Sequence, residues 1–282
     1  MAIIPSLEIE TKLQERLSAP MSWKEICDVK YTDTGVVKNP YLTDATVSSG
    51  TRGTGYTSVA IATTDSSVTI SDYDYSAMHI DDADLAQKSF SDFMEIADNI
   101  GTVLNEKMET SMLAEHAQWT NFDNTNIGGA AGNLTVSVSN IKAIIAAMKT
   151  AVRTAGGGNL ADRNGLFIVW READFEKVEL LASSEGFSTA DDALKNGIKR
   201  GFKYLGVEHY SSSKHTSGHV FGGVKKAFTC YVVKSTFGRM KTIVNPVVSS
   251  AQISGVGLES RIDRKFKAWD KMVPVLFDIL VA

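Results

Sequence analysis

Few residues of this chain stand in an arrangement that chemistry requires. His209, His215 and His219 lie close together beside Tyr210 and Lys214 and form its only histidine cluster. Imidazoles so grouped could hold zinc, but such sites draw on nearby cysteines or a His-x-x-x-His helix. Neither is present, and a serine-rich surface loop is the better expectation. Asp72, Asp74, Asp81, Asp82 and Asp84 gather the carboxylates a hard cation needs. Their spacing is not that of an EF-hand loop and the bridging glycine is missing. Asp81, Asp82 and Asp84 read instead as the acidic first turn of a helix, where carboxylates accept orphan N–H groups and oppose the positive dipole end. The run Gly50-Thr-Arg-Gly-Thr-Gly55 superficially resembles a phosphate cradle. It lacks the Gly-Lys-[Ser/Thr] ending and the helix that would receive a phosphate. No Gly-x-Ser-x-Gly elbow and no His-Glu-x-x-His helix occurs. The residues therefore predict no enzyme, no catalytic group, no cofactor and no metal.

Composition bounds the remaining classes. At 282 residues and 43% hydrophobic content the chain can bury one large core or two smaller ones. The net charge of −4 argues against a global basic field for nucleic acid. Cys27 and Cys230 lack the paired spacing of a zinc or redox motif, which suggests a reducing compartment and two buried thiols. No apolar run approaches the roughly 20 residues that span a bilayer. The start Met1-Ala-Ile-Ile-Pro5 has neither the basic opening nor the length of a secretion signal, so the expectation is a cytoplasmic origin.

The elements follow from periodicity and punctuation. Leu7, Ile9, Leu13 and Leu17 suggest a short amphipathic helix on an otherwise loose arm. Residues 39 to 77 are dominated by Thr, Ser and Gly, with alternation at 58–62 and 68–70, and predict an exposed β-hairpin with little core of its own. Its tip carries Arg52, the only cation between Lys38 and Lys88. With Gly53 and Tyr56 beside it, Arg52 is a candidate contact to a neighbouring subunit; a solvated arginine is the alternative. From Asp81 to Trp119 the spacing of Leu85, Phe93, Ile96, Ile100, Val103, Leu104, Met108 and Met112 predicts one helix of about 58 Å. A polar, glycine-rich connection at 121–133 marks a domain boundary. Ser137 or Ser139 then caps a helix with the face Ile141, Ile144, Ile145, Met148 and Val152, stopped by Gly156 to Gly158. Leu166–Trp170 reads as a buried strand and 173–182 as a helix; 227–233, 240–244, 261–269 and 273–281 read as further strands. In 261–271 five cations flank Phe266 and Trp269, which suits nucleic-acid contact or, preferably, a half-buried strand with a charged outer face.

This order of elements resembles the major capsid proteins of tailed phages, the Hong Kong 97-type coat fold. The passage Ile80-Asp81-Asp82-Ala83-Asp84-Leu85-Ala86-Gln87 is similar to the family's entry into its long spine helix. Leu166 to Phe175 looks like its strand followed at once by a helix, although Arg171 and Glu172 stand where a proline is frequent. Gly197-Ile198, Gly206-Val207, Tyr210-Ser211 and the closing run Val273–Val281 resemble later strand signatures.

The resemblance implies an α+β fold with an N-terminal arm (1–38), an extended loop (39–77), a peripheral domain with the spine helix (78–133), an inserted axial domain (134–250) and peripheral C-terminal strands (251–282). It implies pentamers and hexamers of this chain closing an icosahedral shell around double-stranded DNA, assembled in a host cytoplasm, with no sequence-specific DNA binding and no membrane. Scaffolding, portal and decoration proteins are the further partners it suggests. With no room for a cleaved scaffold extension before the loop, the expectation is an uncleaved coat with a separate scaffold or none. The absence of lysine between Lys38 and Lys88 closes the loop-lysine isopeptide route used by some relatives. An encapsulin shell is the runner-up, and a two-domain enzyme with an unrecognised site is the alternative from another class.

Overall fold

The computed structural model describes residues 21–42, 44–53, 55, 58, 60–81, 90–184, 202–244, 247–248, 251–252 and 255–282. Two sheets carry the core. In the first, the 14-residue strand Gly255–Ala268 is the organising element. Along residues 255–264 it pairs antiparallel with Asp72–Asp81. On its other edge it takes Met240–Val244 and then Phe228–Val233, and Asp28–Thr32 joins the latter in parallel. Alternation along this strand buries Ile262, Arg264, Phe266 and Ala268 and turns Arg261 outward, so the half-buried strand expected here is present. The second sheet is six-stranded, in the order Thr120–Phe122, Leu276–Leu280, His219–Val224, Leu166–Trp170, Val207–Ser211, Phe202–Tyr204. Leu166–Trp170 lies in its middle, fully buried, as its unbroken apolar run demands.

These sheets do not divide the chain at residues 134 and 250. Phe228–Val233 and Met240–Val244, assigned above to the inserted domain, pair with Gly255–Ala268, while the C-terminal Leu276–Leu280 pairs into the six-stranded sheet. Strand pairing is decided by long-range register, which composition shifts along the chain do not report.

The long helix spans Phe90–Leu113, 24 residues or about 36 Å. Ile100, Leu104, Met108 and Met112, four apart, form its buried stripe. It is shorter than the expected Asp81–Trp119 at both ends. Asp81 closes a strand, opposite Gly255, so its backbone is not in the first turn of the helix; Asp82 and Asp84 lie outside the described residues. Beyond Leu113 the chain tightens into a 3-10 turn, Ala114–Gln118, and Trp119 is extended. Tertiary contacts outweigh the helical spacing here. Trp119 wedges between the sheets, with ring centroids 4.7 Å from Phe221, 6.2 Å from Phe167 and 5.0 Å from Phe228. Gln118 accepts a hydrogen bond from the Ala268 N–H at 3.1 Å.

Helix Ile141–Thr154 covers the six-stranded sheet with the five-residue face expected for it. Its N-cap is Asn140, whose carboxamide oxygen accepts from the Ser137 N–H at 2.9 Å, so the serines are not the cap. The helix stops at Thr154, before Gly156 at φ +79°, as expected, and a second short helix, Gly158–Asn164, follows at once. Glu172–Ser184 is helical as expected. Residues 6–17 and Gly197-Ile198 lie outside the described residues.

Candidate assembly surface

The loop that the sequence marks as exposed has a narrow root. Val36–Lys38 pairs with Ser67–Thr69, and Tyr41–Leu42 with Thr63–Thr64, in one continuous antiparallel register. The Asn39 N–H donates to the Ser66 carbonyl at 2.8 Å between the two pairs. Val68, 6% exposed, anchors this ribbon against Tyr231 and Trp269, with Val37 and Ile70 packed beside it, and the Trp269 indole N–H donates to the Tyr231 hydroxyl at 3.1 Å. Lys271 adds an ion pair to Asp44 and lies 5.3 Å from the Tyr41 ring centroid. A cleft of roughly 590 Å³, lined by Lys30, Arg163, Lys226 and Lys271 among others, opens beside this root.

Beyond the root, every described residue from Asp44 to Asp65 is exposed. Val47 is 99% and Ile61 79% exposed. Leaving side chains of this size in water forgoes about 1.5–3 kcal/mol each, and a two-stranded ribbon is marginal alone. Arg52 stands in a turn, exposed, with no ion pair among the described residues. Gly53 adopts φ +97°, which favours glycine. Tyr56 lies outside the described residues. The alternation at 58–62 forms no strand among its described residues; without a partner ladder, alternation alone does not hold a strand. Nor do residues 72–77 belong to the loop, since they pair with Gly255–Ala268.

That pairing fixes the loop's exit. Asp74 forms an ion pair with Arg264 at 2.5 Å, both largely buried, and Asp72 one with Lys265 at 2.7 Å. The Lys265 hydrogen bond holds the Asp72 carboxyl below its ordinary range. Asp72 and Asp74 are thus engaged as ion-pair partners of the neighbouring strand. Arg261 stacks over Tyr73 at 4.2 Å.

No family model matches the chain, and no curated protein matches it. Solved structures do. A chain of Mycobacterium phage Che8 aligns with a TM-score of 0.71 at 16% identity, covering 98% of this chain and 97% of that one. A chain from the capsid structure of the cyanophage P-SCSP1u aligns with a TM-score of 0.67 at 13% identity, over 99% and 93%. One from the native GTA particle capsid aligns at 0.63 and 11%, over 98% and 95%. The chain has the fold of phage capsid proteins. The likeness runs through the loop, the long helix and both sheets, because it covers nearly all of each chain.

Within this capsid fold the three clustered histidines part company. His209 is fully buried, not in a surface loop: its Nδ1 accepts from the Trp170 indole at 2.9 Å and its ring stacks near Phe202. Burial lowers its pKa to about 4. His215 stacks on Phe221, with centroids 5.6 Å apart. His219 meets Asp278 and, from the 3-10 turn, His116. Burial pushes the Asp278 carboxyl upward against the lowering hydrogen bond from His219.

Sequence reasoning also missed Glu109. It is fully buried on the long helix, and accepts from the Ser22 N–H at 2.9 Å, the Ser22 hydroxyl at 2.8 Å and the Trp23 N–H at 2.9 Å. It ties the entry of the short helix Trp23–Ile26, whose Trp23 and Ile26 are buried, to the spine. The one signal available was its place between Met108 and Met112 of the apolar stripe, four residues before Leu113. Cys27 and Cys230 are buried free thiols; burial raises both, Cys230 to about 12. Among the described residues no helix is long and apolar enough to cross a membrane.

Proposed function

We propose that this chain is the major capsid protein of a tailed phage, of the Hong Kong 97-like kind, and that its copies assemble as pentamers and hexamers into a closed icosahedral shell around double-stranded DNA. Its activity is assembly. The observation that carries this is the loop: a segment with exposed Val47 and Ile61, held only at a narrow root, in a fold shared over nearly its whole length with phage capsid chains. Such a segment gains its stability from a surface on another copy, where buried interface offsets the cost of ordering it. Arg52, Gly53 and Tyr56 are the tip contacts, with Arg52 facing carboxylates of the neighbour. The long helix is the beam across the shell, with an axial part built on the six-stranded sheet and a peripheral part on the five-stranded one. Scaffolding, portal and decoration proteins are its further partners, and assembly takes place in the host cytoplasm.

The DNA is enclosed and not read, in keeping with the net charge of −4. Likeness to phage and GTA capsids supports a genome container over an encapsulin. Deleting residues 45–62, which spares the buried Val68, tests the loop's role. The variant is expected to fold, with unchanged circular dichroism in its core bands, and to stay unassembled by sedimentation. Normal closed particles from it would refute the loop's role.

A further inference from the structure

We propose that His116, His219 and Asp278 form a binding site for a divalent transition-metal ion of the zinc class. Three separate elements supply the ligands: the 3-10 turn after the long helix, strand His219–Val224 and strand Leu276–Leu280. Asp278 lies opposite Phe221 in the ladder, and His219 is two residues from Phe221 on the same sheet face. His116 descends on that face from above. Its Nδ1 is 3.4 Å from Asp278 Oδ2, and His219 Nδ1 is 2.8 Å from the same oxygen and 3.0 Å from Oδ1. The imidazoles stack with centroids 3.9 Å apart and planes 26° from parallel, so both present Nδ1 to one carboxylate. All three ligand atoms lie within 4.8 Å of one another.

This is the donor set of a three-ligand zinc site. Bonds of about 2.0–2.1 Å at tetrahedral angles put ligand atoms roughly 3.3–3.4 Å apart; the His116–Asp278 separation of 3.4 Å matches this, and the 2.8 Å His219–Asp278 contact opens by about half an ångström to admit an ion. The charge also asks for a cation. Asp278 has a side chain only 3% exposed, and the groups paired with it are two imidazoles, not a lysine or arginine. An ionised carboxylate so buried is costly without a compensating charge, and a divalent ion supplies it. The imidazole edges remain 27% and 23% exposed, which leaves an entry path and a fourth position for water. Phe221 walls the inner side. A bound ion would fasten the end of the long helix to the six-stranded sheet, stabilising the fold by mass action.

The alternative is a purely protonic cluster, two imidazoles hydrogen-bonded to one carboxylate. Cobalt(II) separates the two as a probe. The purified chain, stripped with a chelator, is titrated with Co²⁺ and with Zn²⁺, alongside His116→Gln and His219→Gln variants whose fold is checked by circular dichroism. The expected result is one ion per chain, intense visible bands of tetrahedral Co²⁺, a higher melting temperature with Zn²⁺, and affinity weaker by on the order of a hundredfold in each variant. A Co²⁺ spectrum unchanged from that of the hydrated ion, or variants that bind as tightly as the parent chain, would overturn the proposal.

Discussion

Replacing Glu109 by alanine should be among the most damaging single changes to the subunit, although a mid-helix glutamate is ordinarily a surface residue. Its carboxylate accepts three hydrogen bonds, from the Ser22 and Trp23 N–H groups and the Ser22 hydroxyl, all within 2.8–2.9 Å and buried. Truncation strands those donors, and a buried unsatisfied donor costs about 1–3 kcal/mol. The three share one acceptor and cannot all be lost independently. Relaxation of the 22–26 segment recovers part of the cost, and the expected loss is about 3–4 kcal/mol. Glu109→Gln keeps the volume and one acceptor oxygen, so roughly half of the loss should return. The assay is urea denaturation of the unassembled subunit, followed by far-ultraviolet circular dichroism and by tryptophan emission. Trp23, buried beside this carboxylate, should shift to longer wavelength in Glu109→Ala at low urea. A stability change below about 1 kcal/mol, within the scatter of surface substitutions, would show that the carboxylate does not hold the arm.

Other expectations follow from buried charge and from the loop. Arg264→Ala leaves Asp74 without its buried partner and should cost about 3–5 kcal/mol, whereas Arg264→Met with Asp74→Leu should recover most of it; equal urea midpoints for the single and double variants would contradict this. His209 receives the Trp170 N–H on Nδ1 and has a pKa near 4 in the folded chain, so the unfolded chain takes up a proton below about pH 6.5 that the folded chain refuses. Stability present above that pH should therefore fall by up to roughly 3 kcal/mol on the way down to pH 4, and His209→Leu should flatten that slope; an unaltered slope in the variant would refute it. Particles boiled in denaturant should run as one band near 30.5 kDa, because the loop has no lysine to form an isopeptide bond, and a ladder of covalent oligomers would contradict this. Arg52→Glu should lower particle stability in a salt-dependent way; unchanged melting of those particles would remove Arg52 from the contact.

What could be read from the sequence was what is local. Leu166–Trp170 announces a central strand because both its faces are buried, and the Ile141–Val152 face announces its helix. The loop's exposure was legible in its Thr, Ser and Gly content, but not the burial of Val68, which depends on Tyr231 and Trp269 far along the chain. The helix was drawn too long for the same reason. Trp119 keeps the spacing of the stripe, yet three phenylalanines from two sheets claim its ring and force the chain to leave the helix. Asp81 looks like a cap when only its acidic neighbours are visible; its true partner is a strand that begins at Gly255. His219 and Asp278 stand 59 residues apart, so no spacing rule could have joined them.

The most direct test of the account is electron microscopy of the full chain, purified after expression alone and after co-expression with a candidate scaffolding protein. Closed shells, or rings of five and six subunits with the loop lying across a neighbour, are the predicted result. A monodisperse monomer or small oligomer at high concentration under both conditions would contradict the claim that this chain is a capsid subunit.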